Sequence, residues 1–112
     1  AAQIAAVRAA LLRLDSTLTD EALPIVVGET GWPTAGHAAA TASNAAKYVR
    51  NAVKSGLSLY LFEAFDEKKK SADGGAGALG DVVENNWGLF TEAGSAKFQI
   101  PELVGAAVTR ST

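Results

Sequence analysis

Residues 24–33 read Pro-Ile-Val-Val-Gly-Glu-Thr-Gly-Trp-Pro, and the fold follows from this stretch. The run from Ile25 to Glu29 is short, rich in β-branched residues and bounded by proline and glycine, which is typical of a buried strand. Side chains alternate along a strand, so Ile25, Val27 and Glu29 are predicted to share one face. A carboxylate that continues an apolar stripe is costly to bury unless it is used or paired. Glu29 is therefore a candidate functional residue at the carboxyl end of a strand.

We predict helices on both sides of this strand. Residues 2–18 and 37–54 carry apolar side chains at steps of three and four, and Gly56 stands where a C-terminal cap is expected. Residues 57–65 are almost entirely apolar, as expected of a second strand that is covered on both faces. The order helix, strand, helix, strand with short connections is typical of parallel β-α units with right-handed crossovers. The sequence therefore predicts an α/β fold built on parallel strands.

The remainder of the chain is less regular. The Gly-rich residues 71–77 predict a long loop, and the motifs at residues 84–90 and 98–100 predict a compact segment after it. Residues 103–108 are predicted to form a short terminal helix. With 112 residues, the chain has the length of one domain.

Composition excludes several classes of protein. The net charge of −2 and the pI near 5.3 leave no basic surface, so we expect no nucleic-acid partner. There is no cysteine and only one histidine, His37, so we expect no disulfide, no metal site and no cofactor. The longest apolar runs are far shorter than the roughly 20 residues that a membrane span needs. A folded protein without a membrane span is the class that remains.

Acidic residues stand at the carboxyl ends of both predicted strands. Glu29 ends the first strand, and Glu63, Asp66 and Glu67 lie near the end of the second. Active sites of parallel α/β proteins and barrels are built at that end. From spacing alone, a residue that stabilises the following turn explains Glu29 equally well. Trp32 likewise fits either a packing residue or a platform on which a sugar ring stacks.

Residues 26–36, Val-Val-Gly-Glu-Thr-Gly-Trp-Pro-Thr-Ala-Gly, closely resemble the signature around the nucleophile of family 17 glycoside hydrolases. Residues 42–48, 62–70 and 84–90 resemble the counterparts of that family in the same order, whereas residues 1–20 match only as a generic barrel helix. The resemblance implies that residues 1–112 are the C-terminal portion of a (β/α)8 barrel. That portion would contain roughly its last two strands with their flanking helices.

The resemblance also implies an activity, an extracellular or cell-wall hydrolase of β-1,3-glucans that retains anomeric configuration through two glutamates. Glu29 matches the nucleophile. Ion pairing in a surface loop remains an alternative explanation for Glu67 and Lys70. The residues expected to contact the glucan substrate are Trp32, Glu63, Phe65, Glu67, Lys70 and Glu84.

No residue of this chain matches the second catalytic carboxylate of the family. In the family the acid/base glutamate follows an asparagine on an earlier strand, and no Asn-Glu pair occurs in these 112 residues. We expect it in an upstream part of the protein, and we regard Glu63 as the less favoured substitute. The N-terminal remainder of the barrel is then the expected partner of this segment, and the segment alone is expected to be inactive.

Three alternatives remain open. One is a transglycosylase, which shares the same covalent intermediate. Another is a non-catalytic glucan-binding fragment that uses Trp32, Phe65 and Trp87 as stacking surfaces. The third is an unrelated α/β domain that matches by chance, which is disfavoured because four motifs occur in the order of the family.

Overall fold

A computed structural model describes residues 1–69 and 81–101 of the chain. Lys70, the Gly-rich residues 71–77 and the helix predicted over residues 103–108 lie outside the described residues. The elements, in chain order, are helix α1 (Ala2–Leu14), strand β1 (Val27–Thr30), helix α2 (Ala42–Lys54), strand β2 (Leu59–Leu61) and the single turn α3 (Asp81–Glu84).

Strands β1 and β2 pair in parallel and form a two-stranded sheet. Helix α2 connects them, so the chain has the β-α-β arrangement that the alternation of elements predicts. The predicted α/β fold with a parallel sheet is confirmed. In the described part of the chain, no helix is long and apolar enough to cross a membrane.

Helix α1 ends earlier than predicted. It stops at Leu14 rather than at residue 18, because Asp15 takes an extended backbone with φ −153° and ψ 116°. The Asp15 carboxylate accepts hydrogen bonds from the Thr17 hydroxyl at 2.7 Å and from the Thr17 backbone N–H at 2.8 Å. These two bonds lower the pKa of Asp15, the hydroxyl more than the N–H. The local side-chain bonds stabilise a turn where the apolar spacing alone predicts another turn of helix.

Helix α2 begins later than predicted, at Ala42 rather than at His37. Its N-cap is Thr41, whose side-chain oxygen accepts a hydrogen bond from the Asn44 backbone N–H at 3.1 Å. The buried side chains of α2 are Ala45 and Val49, which belong to the predicted apolar face. The periodicity therefore identifies the face of this helix, whereas the cap determines its start.

Strand β1 contains an irregularity in its pairing beside Glu29. Val27 pairs with Leu59 and Thr30 pairs with Leu61, so β1 holds one more residue than β2 between these pairs. Val27 and Thr30 both line a cavity against α1 and α2. Glu29 is not among the described residues that line this cavity. The irregularity interrupts the regular alternation from which the sequence predicts that Val27 and Glu29 share one face.

Strand β2 is shorter than the predicted residues 57–65, since its backbone changes partner. The Phe62 N–H still donates to the Thr30 carbonyl at 2.8 Å. From Glu63 onward the backbone bonds instead to residues 87–90. The Glu63 N–H donates to the Trp87 carbonyl at 3.2 Å, and the Glu63 carbonyl accepts a hydrogen bond from the Leu89 N–H at 2.9 Å. Residues 87–90 thus close over the end of the sheet.

Among the described residues few apolar side chains are buried, and they lie on α2, in the loop before it and in the segment that follows residue 81. Tyr60 on β2 is 68% exposed, and Val26, which precedes β1, is 51% exposed. The described residues therefore leave apolar surface of the sheet uncovered. The buried hydrophobic residues are Ala40, Ala45, Val49, Val83 and Ile100.

Candidate active site

A cleft of about 440 Å³ lies at the carboxyl ends of the two parallel strands. It contains two carboxylates and an aromatic wall, the combination that a sugar-cleaving site requires. The residues that line it are Glu29, Thr30, Gly31, Phe62, Glu84 and Trp87.

Glu29 reaches this cleft from β1 and is exposed. The neighbouring Thr30 also lines the cleft, and its hydroxyl is hydrogen-bonded to the Tyr48 hydroxyl of α2. That bond attaches the end of β1 to α2. Glu29 therefore projects from a strand end that is held by this helix.

Gly31 allows the two strand ends to approach closely. A Cβ atom at residue 31 would lie 2.0 Å from the carbonyl oxygen of Phe62 and 3.4 Å from a ring carbon of Trp87. No side chain larger than hydrogen fits there without movement of the backbone. The peptide bond between Phe62 and Glu63 is cis. The glycine of the Glu-Thr-Gly-Trp sequence thus serves packing beside the cleft.

Trp87 forms the aromatic wall of the cleft. Its ring meets Phe62 edge to face, with the ring centroids 5.9 Å apart and an interplanar angle of 67°. Its indole N–H is buried and has no hydrogen-bond partner in the described part of the chain. Phe62 was not predicted to line the site, because its position in an apolar strand gave no functional signal.

Glu84 ends the turn α3 and is half-buried. The segment after it is held by the Asn86 backbone N–H, which donates to the Val83 carbonyl at 3.0 Å. Val83 is among the most deeply buried side chains. The structure thus places Glu84 in the cleft with Glu29. That Glu84 contacts the substrate stays a prediction.

Trp32 lies in an adjoining cavity of about 410 Å³, which shares Gly31 and Trp87 with the cleft. Its indole N–H donates to the Ala39 carbonyl at 2.9 Å, and its ring packs on Tyr48 with centroids 5.6 Å apart. Trp32 is thus near the cleft but not among its lining residues. Its hydrogen bond also holds the loop before α2.

Of the other predicted contact residues, Glu63, Phe65 and Glu67 are not among the described residues that line the cleft. Glu63 is half-buried and is held by backbone bonds to residues 87–89. Phe65 is 52% exposed and packs on Phe90 with ring centroids 5.6 Å apart. Glu67 is exposed, and Lys70 lies outside the described residues. The roles of these four residues stay predictions.

Asp66 and Lys97 form a buried pair that the sequence did not reveal. Asp66 is 8% exposed and its Oδ1 accepts a hydrogen bond from the Gly88 N–H at 2.9 Å and from the Lys97 ammonium at 2.5 Å. The one available signal was an aspartate next to the aromatic run that ends at Phe65. Lys97, in Gly-Ser-Ala-Lys-Phe, has the sequence context of an ordinary surface lysine.

A carboxylate at the carboxyl end of a parallel strand, in a cleft with a second carboxylate, is compatible with the sites of barrel glycosidases. The chain belongs to glycosyl hydrolases family 17, whose sequence profile matches residues 4–101. The family expected from the four motifs is therefore confirmed.

Plant proteins described as glucan endo-1,3-beta-glucosidases are similar to this chain in sequence. A glucan endo-1,3-beta-glucosidase of Vitis vinifera is 40% identical over 88 residues, which are 70% of this chain and 23% of that protein. The acidic isoform GL161 of glucan endo-1,3-beta-glucosidase from Nicotiana tabacum is 38% identical over 89 residues, which are 68% of this chain and 24% of that protein. The chain thus spans about a quarter of the length of these relatives.

A solved structure is similar as well. CJP38, described as a beta-1,3-glucanase and allergen of Cryptomeria japonica pollen, matches with a TM-score of 0.60 and 29% sequence identity. The match covers 81% of this chain and 30% of that one. The likeness therefore extends over most of this chain.

Proposed function

We propose that this chain is part of the catalytic domain of a β-1,3-glucan-cleaving glycoside hydrolase and supplies its nucleophile, Glu29. The observation that carries the proposal is the cleft in which Glu29 and Glu84 lie beside the Trp87 ring. The membership in family 17 and the described activity of the relatives support the choice of substrate.

Residues 1–112 would form one segment of a (β/α)8 barrel, roughly its last two strands and their helices. Supporting this, the described sheet has two parallel strands and leaves Tyr60 exposed. A closed barrel covers such surface, since one face of each strand packs in the barrel interior and the other packs under the surrounding helices. The N-terminal remainder of the barrel is the partner that this surface fits.

The proposed reaction is a double displacement. The Glu29 carboxylate attacks the anomeric carbon and forms an ester, while the bond to the leaving sugar breaks and an acid/base residue gives a proton to the leaving oxygen. The same residue then takes a proton from water, which attacks the anomeric carbon and frees Glu29. A sugar hydroxyl in place of water would make the protein a transglycosylase.

The acid/base carboxyl must stand about 5–5.5 Å from the nucleophile in a retaining enzyme. We place it in the upstream part of the protein, because these residues contain no Asn-Glu pair. Glu84 then contributes negative charge beside the reacting sugar, and Trp32 contacts a more distant one. Glu63, Phe65, Glu67 and Lys70 are proposed as further contacts around the cleft, and the protein acts outside the cell or in the cell wall.

The test compares Glu29→Gln with Glu21→Gln in the full-length protein. Glu21 is exposed and lies before β1, outside the cleft, so it is a matched control. We expect Glu29→Gln to lose reducing-sugar release from laminarin by several orders of magnitude while keeping its circular dichroism spectrum, and Glu21→Gln to keep full activity. Retained turnover in Glu29→Gln would remove Glu29 from the nucleophile role.

A second experiment identifies the role itself. In Glu29→Ala, azide added with an activated β-glucosyl fluoride should restore turnover and give the α-glucosyl azide, because the azide takes the place of the missing carboxylate. Recovery of a β-configured azide would contradict a nucleophilic Glu29.

The non-catalytic alternative is favoured by one observation, the exposed aromatic pair Phe65 and Phe90 next to the cleft. The 112-residue chain alone distinguishes the two proposals. We expect it to release no reducing sugar from laminarin, because it lacks the acid/base. Hydrolysis by this chain would contradict our placement of that residue upstream.

A further inference from the structure

An ion pair between Asp66 and Lys97 is enclosed beside the cleft. The Lys97 Nζ lies 2.5 Å from Asp66 Oδ1, and each side chain is only 10% exposed. Charges in such a position are costly unless hydrogen bonds satisfy them. The other hydrogen bonds of Asp66 and Lys97 therefore show which segments of the chain this ion pair joins.

The bonds around the Lys97 ammonium reach three separate segments. Its Nζ donates to Asp66 Oδ1, to the Thr34 hydroxyl at 2.8 Å and to the Asn86 carbonyl at 3.4 Å. An ammonium has three donors, so these acceptors use all of them. The Thr34 hydroxyl in turn donates to the same Asn86 carbonyl at 3.2 Å. The group is a closed network.

Each of the three segments carries a carboxylate of the proposed site. Thr34 lies on the loop that follows Glu29, and Asn86 comes shortly after Glu84. The backbone of these two loops is also joined directly, because the Thr34 N–H donates to the Asn86 carbonyl at 2.9 Å. The third segment contains Asp66, which immediately precedes Glu67.

We propose that Lys97 is a positioning residue of the glucan-cleaving site, an inference that rests on the proposed function. Its ammonium fixes the loop after Glu29 against the segment of Glu84 without itself lining the cleft. Catalytic groups must be held within about 0.5 Å of the productive geometry, and a misplacement of about 1 Å can lower the rate by roughly 10²-fold. Lys97 therefore acts on turnover through the carboxylates.

The experiment uses the full-length protein with laminarin as substrate. Lys97→Met alone leaves a buried charge on Asp66, so the decisive variant is the neutral double substitution Asp66→Asn with Lys97→Met. We expect it to remain folded, with kcat reduced about 10- to 100-fold and KM changed less than about 3-fold. Lys97→Arg keeps the positive charge, so its kcat should lie between that of the double variant and that of the unmodified protein.

Lys47→Met is the matched control, since Lys47 is exposed on α2. It should leave kcat within about twofold of the unmodified protein. A folded double variant with unchanged kcat would overturn the proposal. If the double variant does not fold, Thr34→Val decides: it removes one bond to Lys97, and an unchanged kcat in the folded protein would overturn the proposal as well.

A readout without turnover separates this inference from the proposed function. Crystal structures of the unmodified protein and of the double variant should show a shift of Glu84 relative to Glu29 of roughly 1 Å, a displacement large enough to affect a catalytic step. An unchanged separation contradicts the positioning role even if the protein cleaves glucan. An unmodified protein that is inactive on laminarin, with the shift present, contradicts the proposed function alone.

Discussion

Gly31 lies directly against the backbone carbonyl of Phe62, so closely that a Cβ atom at residue 31 would stand 2.0 Å from that oxygen. The two residues follow the ends of β1 and β2, and both line the cleft that holds Glu29. The contact involves backbone, which cannot rotate away as a flexible side chain can. The close approach of the strand ends therefore depends on the absence of a side chain at residue 31.

Replacing Gly31 by alanine tests this contact. We expect Gly31→Ala to lower the free energy of unfolding by about 1–3 kcal/mol, because the added methyl group forces the strand ends apart. Gly28→Ala on the same strand is the control, since a Cβ atom there meets nothing within 4 Å. Gly28→Ala should therefore raise the free energy of unfolding by about 0.4–1 kcal/mol. Urea unfolding of the full-length protein gives both values, and equal effects would contradict the contact.

Asp15 gives a prediction for pH dependence. The Thr17 hydroxyl, and then the Thr17 backbone N–H, hold the pKa of Asp15 below its usual value of 3.8. A depressed pKa in the folded state means that the contribution to stability is present above pH 3.8 and is lost as the pH falls through the folded pKa. Carboxyl ¹³C NMR titration should show this low pKa.

Thr17→Val removes the hydroxyl and keeps the N–H. It should move the pKa of Asp15 upward toward 3.8 without restoring it fully, because the backbone bond remains. A titration curve that is identical in both proteins would show that the Thr17 hydroxyl does not hold the carboxylate.

Local patterns were sufficient to predict the parallel β-α units and the strand end at Glu29. Neighbouring residues are enough to identify each of these features: the β-branched run of a strand, the apolar face of a helix and the glycine that follows the helix. The resemblance to the family then singled out Glu84. The structure places Glu84 in the cleft with Glu29, and its contact with the substrate stays a prediction. Both predictions depend on short stretches of sequence.

Non-local contacts limited the rest. The end of β2 was misplaced because the backbone from Glu63 onward pairs with residues 87–90, a partner that hydropathy does not identify. The start of α2 was misplaced because Thr41 caps the helix and competes with an apolar pattern that extends further upstream. The pair of Asp66 and Lys97 joins distant positions, and neither residue shows its partner in its own sequence context.

The two tryptophans near the cleft differ in position, and this difference predicts how binding depends on glucan length. Trp87 lines both the cleft and the adjoining cavity, whereas Trp32 lines the adjoining cavity without being among the residues of the cleft. A short glucan bound beside Glu29 therefore contacts Trp87. A longer glucan also reaches Trp32.

Calorimetry with the Glu29→Gln protein, which binds without turnover, measures this. Trp87→Leu should weaken both a β-1,3-linked disaccharide and a hexasaccharide by about 2- to 10-fold, the equivalent of one aromatic contact of about 0.5–1.5 kcal/mol. Trp32→Leu should weaken only the hexasaccharide, provided that circular dichroism shows an intact fold after loss of the indole bond to the Ala39 carbonyl. Equal weakening of the disaccharide by both substitutions would place Trp32 at the sugar next to Glu29 and contradict the arrangement of the two cavities.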